Sequence, residues 1–224
     1  MTTDEWQAIR ISVQVAVFSV LLCLPGAIGC AWLFARHRFY GKLVLETLAN
    51  LPLVLPPVVT GYVLLAVFGR RGIVGGWLES AFGIQIVFDW KGAAIASAIV
   101  AFPLMVRAIR VSFEAIDPRL ENAAKTLGAR PLDAFLTISL PLARRGIIAG
   151  CLLGFARSLG EFGATIMIAG NIPGQTQTIP LFIYNLLEMP NGMQQALRLV
   201  WCSIAIAAVT LAGGEWINRQ KPEN

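Results

Sequence analysis

From Ile11 to Ala35 the chain reads ISVQVAVFSVLLCLPGAIGCAWLFA, 25 residues without a charged side chain. Wound as an α-helix, such a run rises about 37 Å, more than the roughly 30 Å hydrocarbon core of a bilayer. Three more predominantly apolar runs are long enough to cross, at 43–68, 146–168 and 196–217. A fifth, GAAIASAIVAFPLMV at 92–106, is short for a crossing, so either Lys91 and Arg107 snorkel or the helix continues into RAIRVSF, giving a span near 92–113. Charged residues make up 14% of the chain and hydrophobic ones 56%, whereas a soluble domain is nearer a quarter charged. The expected fold is an all-α integral membrane protein of about five transmembrane helices, one domain over 1–224 without internal repeats. The N-terminus, MTTDEWQAIR, is acidic and the apolar run behind it is too long for a signal peptide, which predicts a retained helix.

A net charge of +5 could suit a nucleic acid, but in a membrane protein excess Lys and Arg encode orientation. With the N-terminus outside, the inner segments hold twelve basic residues: Arg36, Arg38, Lys42, Arg107, Arg110, Arg119, Lys125, Arg130, Arg144, Arg145, Arg219 and Lys221. The outer segments hold five, Arg10, Arg70, Arg71, Lys91 and Arg198. This asymmetry predicts an outer N-terminus, an inner C-terminus, a cytoplasmic 107–145 segment and no nucleic-acid partner. Cys23, Cys30, Cys151 and Cys202 sit in apolar runs without a C-x-x-C pair, and His37 is the only histidine. Packing is the expected role of the thiols, and no metal site is expected.

The second run carries Pro52, Pro56, Pro57 and Gly61. Prolines there either bend a packing helix or shape one that lines a pathway, because freed carbonyls in a membrane must be satisfied by protein or by a watery cavity. Between Gly69 and Trp90 the chain is too polar to span and reads as an external, partly interfacial excursion. The segment Asn171–Gly192 has no Lys or Arg and many turn residues, as expected of an outer face.

Against this background ENAAKTLGARPLDAFLTISLP, residues 121–141, looks like soluble helix. Asp117 and Pro118 form a helix entry, and Leu120, Ala123, Ala124 and Leu127 fall at i, i+3, i+4, i+7, with Gly128 as a left-handed stop. A second helix is predicted from Pro131, with Leu132, Phe135, Leu136 and Leu140 on its apolar face, ending at Pro141. An apolar stripe on two short cytoplasmic helices needs a cover: lipid, the protein's own loops, or a groove on a cytosolic partner. The spacing of Ala123, Ala124 and Gly128, with Ile138, Leu140 and Pro141 downstream, resembles the EAA loop of ABC-importer permeases. That resemblance implies a type I ABC importer permease fold in which the loop, about 117–141, is a coupling helix docking into an ATPase subunit. In this chain the residue directly before the two alanines is Asn122 rather than the usual glutamate, and the carboxylate is Glu121, one position earlier. No G-x-x-x-x-G-K-[ST] phosphate loop is present, so ATP and Mg are expected on the partner and no cofactor on this chain.

The stretches LPLVLPPVVTGYVLL, FGRRGIVG, AFPLMVRAIR and FARSLGEFGATIMIAGNIPGQTQTIPLFIY resemble the molybdate ABC transporter permease family; sulfate/thiosulfate permeases share a weaker form of the pattern. The resemblance implies a homodimer in the bacterial inner membrane, two ATPase subunits and a periplasmic molybdate-binding protein, with tungstate and sulfate as alternative cargoes. Arg157 and Glu161, at i, i+4, are the informative ionisable residues inside the runs. They are either a structural ion pair or a pathway cation with a moderating carboxylate. Gly150, Gly154, Gly160 and Gly163 suit close helix packing. An ATPase-independent secondary transporter would need more coupling groups in the membrane than these. An enzyme would need a catalytic constellation, and no acid/base pair, nucleophile or metal cluster is legible, so no catalytic site is assigned.

Overall fold

The computed structural model describes residues 1–190 and 192–219, with side chains through 214. Lys221 and the side chain of Arg219, both counted as inner charges, lie outside the described residues. All regular elements among the described residues are helical. Helix α1, Thr3–Arg36, begins well before the apolar run because Thr2 and Glu5 form a capping box. The Thr2 hydroxyl accepts from Glu5 N–H at 3.3 Å, and the Glu5 carboxylate accepts from Thr2 N–H at 2.8 Å, which satisfies donors that the helix leaves open.

The segment with an apolar stretch too short to cross is a full helix, α5, Trp90–Ala115. Asp89 caps it by accepting from Lys91 N–H at 2.9 Å, and it runs on through RAIRVSF. Two-thirds of its apolar window is buried (67%), against 11% for the last long helix, so α5 is the axis of the bundle. Its buried small residues, Gly92, Ala93, Ala94, Ala96, Ala98 and Ala101, let neighbouring helices approach closely, and α1 packs along one side. On the other lies α9, Arg144–Leu159. A Cβ on Gly150 would come 2.8 Å from Ile109 Cγ1, and one on Gly154 2.7 Å from Met105 Sδ, so these glycines set the α5–α9 spacing. Ser19 on α1 and Ser158 on α9 share a hydrogen bond of 2.7 Å that completes the triangle.

The other two central runs are not straight. Residues 42–68 form α2, Lys42–Val54, and α3, Pro57–Phe68, at 111° to one another. Pro56 and Pro57 each push the residue before them out of the helical region, and Leu55 and Pro56 have ψ of 141° and 133°. Pro57 then starts α3. Pro52 lies inside α2 and breaks nothing. In the fourth run the chain leaves the helix at Gly160–Phe162 and resumes as α10, Gly163–Ala169.

At one end of the bundle lie α4, Ile73–Phe82, and α11, Ile179–Leu187. The chain reaches α11 through a turn in which Ile172 O accepts from Gln175, Thr176 and Gln177 N–H. Ser12 of α1 pins it by accepting from Ile179 N–H at 2.7 Å. Helix α12, Met193–Arg219, packs on α11 and α9. At the opposite end, α6, Pro118–Thr126, α7, Pro131–Ala134, and α8, Leu140–Leu142, connect α5 to α9.

Candidate functional site

The α6 segment is capped at both ends. Asp117 accepts from Arg119 N–H at 2.9 Å. At the other end Gly128 has φ +94°, Ala129 N–H reaches Ala124 O at 3.0 Å and Gly128 N–H reaches Lys125 O at 3.1 Å. These are the paired bonds of a Schellman stop. Ala123 and Gly128 are exposed, Ala124 is half-buried, and Leu120 and Leu127 are 47% and 90% exposed. The stripe predicted from the spacing therefore points away from the bundle.

Glu121 points the other way. Its carboxylate is buried, 3.2 Å from Nε of Arg36 at the last turn of α1. Ser139 Oγ donates to the same Glu121 oxygen at 2.5 Å, and Arg36 Nη2 donates to Ile116 O, just past the end of α5, at 2.9 Å. One carboxylate thus joins α1, α6 and the turn before α8, and its guanidinium partner also grips the end of α5. Arg36 entered the sequence reading only as an inner charge, and Ser139 not at all. No local pattern pairs residues so far apart in the chain, so this junction was not legible before folding.

The second helix of the loop departs from expectation. Pro141 does not end it: the helix runs from Pro131 to Leu142 and turns at Ala143, with α9 at 68° to it. The turn at Phe135–Ser139 widens to π geometry, Leu140 N–H reaching back to Phe135 O, which accommodates a ring that has no N–H to offer. The inward face is Ala134, Phe135, Ile138 and Ser139, while Leu132, Leu136 and Pro141 are exposed. Phe135 packs against Trp32 of α1 and Phe113 of α5, at centroid distances of 5.2 and 6.2 Å.

Arg157 and Glu161 do pair, with Nη1 to Oε2 at 2.8 Å, but not on a continuous helix. Glu161 lies in the break and its other oxygen accepts from Ala164 N–H at 2.8 Å. The carboxylate is 2% exposed and the Arg157 side chain 29%. Both oxygens are used to close the α9–α10 break. The α2–α3 break sits beside it: a Cβ on Gly163 would lie 2.9 Å from Pro57 Cβ, and one on Gly61 2.7 Å from Ala164 O. Gly160, grouped with the packing glycines, is exposed and faces open space. Among the described residues there is no group of His, Cys, Asp or Glu able to hold a metal ion.

Solved structures share this helical bundle. A bacterial ABC transporter involved in the import of alginate has a TM-score of 0.73 at 16% identity, covering 100% of this chain and 82% of that one. The MetNI methionine ABC transporter in inward-facing conformations has a TM-score of 0.70 at 15% identity, covering 98% of each chain. The fold is that of a type I ABC importer permease. Residues 24–218 match the family described as binding-protein-dependent transport system inner membrane component, and the chain belongs to that family. Within it, the chain is 52% identical over 219 residues to the molybdenum transport system permease protein ModB of Escherichia coli (strain K12), covering 98% of this chain and 96% of that protein. It is 40% identical to ModB of Mycobacterium tuberculosis over 214 residues, 95% of this chain and 79% of that protein. The sulfate transport system permease protein CysT of Escherichia coli (strain K12) is 38% identical over 192 residues, 82% of this chain and 69% of that protein.

Proposed function

We propose that two copies of this chain form the membrane pathway of an ATP-driven importer of molybdate in a bacterial inner membrane. A periplasmic binding protein delivers the anion, and two cytoplasmic ATPase subunits, which bind the ATP and Mg, engage the 117–141 loops and drive alternating access. The observation that carries the choice of anion is the 52% identity to a molybdenum permease across 98% of the chain; the likeness to a sulfate permease is lower and covers less of both chains. The exposed Leu120, Ala123 and Leu127 on a rigidly capped helix support the docking role. The test is uptake of labelled molybdate by vesicles holding this chain, its ATPase and its binding protein. ATP-dependent uptake that excess sulfate fails to compete is the expected result, and uptake of sulfate in preference would replace the anion.

The twelve-to-five basic asymmetry supports an N-terminus in the periplasm and a C-terminus in the cytoplasm. In a cysteine-free background, Thr126→Cys and Gln175→Cys, both at exposed positions at opposite ends of the bundle, should react with a membrane-impermeant maleimide from opposite faces, Gln175→Cys from the periplasm. Labelling of both from one face contradicts the topology. Gln177, although in the same loop, is buried and donates to Asn171 at 2.9 Å, so it would not report accessibility.

Gly128→Val forces a β-branched residue to φ +94°, at a cost of about 1–3 kcal/mol. The Schellman stop should open and α6 lose its alignment. The expected outcome is a permease that still inserts but recovers less ATPase on affinity purification and imports less molybdate. Parental values for both would remove α6 from the coupling role.

A further inference from the structure

The coupling loop has few ways to pull on the membrane helices. The chain itself joins it to α5 through Ile116 and to α9 through Ala143. α6 leans only lightly on its neighbours, chiefly α7 and the π turn, and Glu121 is its one buried side chain. Helix α1 is different: it flanks α5, yet it ends far from the loop in sequence and does not adjoin it in the chain. The buried link from α6 to α1 among the described residues is Glu121 to Arg36.

We infer that Arg36, Glu121 and Ser139 form a latch that makes the coupling helix and the cytoplasmic end of α1 move as one body, so that ATPase motion reaches α1 from α6 directly rather than only through the connecting chain and the Phe135–Trp32 contact. This rests on the coupling role proposed for the loop. The geometry suits a rigid joint. Glu121 Oε1 is held from two sides, by Arg36 Nε at 3.2 Å and by Ser139 Oγ at 2.5 Å. The Arg36 guanidinium pairs with Glu121 by charge, its Nε 3.2 Å from the carboxylate without a hydrogen bond, while its Nη2 donates to Ile116 O at 2.9 Å; the compact ammonium of a lysine would not present the same planar fork. Arg36 and Glu121 side chains are only 9% and 10% exposed, so water offers little replacement for a lost partner. The widened turn at Phe135–Ser139 ends at Ser139, which it delivers to the carboxylate. The displaced glutamate, at 121 instead of 122, therefore faces the bundle, whereas Asn122 is exposed. These are positioning residues; none is expected to touch the transported anion.

Spin labels test the joint. In a background with Cys23, Cys30, Cys151 and Cys202 replaced by alanine, Gly29→Cys, at an open position between Pro25 and Arg36 on α1, and Thr126→Cys on α6 are labelled. The permease is assembled with its ATPase in nanodiscs and diluted with unlabelled chain so that only one copy per complex carries labels. The expected result is one narrow distance that stays the same without nucleotide and with ATP and vanadate, and that broadens or shifts in Glu121→Gln. Arg36→Lys, which keeps the charge, covers the case in which Glu121→Gln does not assemble, and should broaden too. The matching functional readout is ATP hydrolysed per molybdate imported, expected to rise at least about fivefold in these variants, the low end of typical coupling energies between sites. A parent distance that moves with nucleotide overturns the latch. So do variants that keep the parental distance, or that lose only yield while the coupling ratio stays parental. A parent that imports no molybdate but shows the constant distance overturns the anion assignment alone, because label distances do not depend on the cargo.

Discussion

Arg157→Leu is expected to be the most damaging single substitution in the bundle, lowering stability by about 3–5 kcal/mol, because it leaves the Glu161 carboxylate buried without its counter-charge. The remaining contact, the Ala164 N–H at 2.8 Å, is a single neutral donor. Glu161→Leu should be milder. Arg157 is 29% exposed and can turn part of its charge toward water, although the start of α10 loses its acceptor. The double variant strands no charge and should recover most of the loss. Thermal unfolding in detergent and yield of the assembled complex measure all three. The double variant also separates the two readings of the pair. A purely structural clasp predicts that the double variant imports molybdate like the parent once assembled, while assembly without uptake would assign the Arg157 charge to the passing dianion.

Gly61→Leu should separate the two broken spans. Any Cβ at position 61 would lie 2.7 Å from Ala164 O and 2.8 Å from Ala164 Cα; these are backbone atoms that cannot swing aside as a flexible side chain would. Overpacking of this kind costs about 1–3 kcal/mol and more where backbone must move. Since α3 packs on α10 here, the displacement should also disturb the Glu161 closure next to it. The expected outcome is a lower melting temperature and loss of uptake. Gly160→Ala is the control: its Cβ would meet nothing nearer than Arg157 O at 4.0 Å, and such an open site should change stability by no more than about 0.5 kcal/mol. Equal effects of the two would mean that the α3–α10 contact carries no special weight.

Much of this is legible in the sequence. Runs such as 11–35 identify a membrane solvent because an uncharged helix of that length has no other place to go. The ends of α6 were readable too, because Asp117, Pro118 and Gly128 act through bonds to neighbours within a few residues. Local chemistry also forecast a proline disturbance near 52–57, but not its form. A bend of 111° at Pro56, and an undisturbed helix at Pro52, depend on which carbonyls find other partners and on how α3 fits against α10. Pro141 shows the same limit. In isolation it predicts a stop, whereas the π turn before it lets the helix pass, held by Phe135 between Trp32 and Phe113.

Side-chain partnership across the chain was decided by tertiary structure alone. Glu121 in the sequence is a misplaced member of a motif; only the packing of α1 beside α5 brings Arg36 to it. Arg157 and Glu161 were found from sequence because four residues of helix bring them together, yet the fold ends the helix between them and turns a surface-style pair into the closure of a break. Helical spacing and hydropathy are properties of adjacent residues and survive in any context. Which charges meet, and which breaks face one another, follows from the arrangement of helices that satisfies every buried polar group at once, and that arrangement is a property of the whole chain.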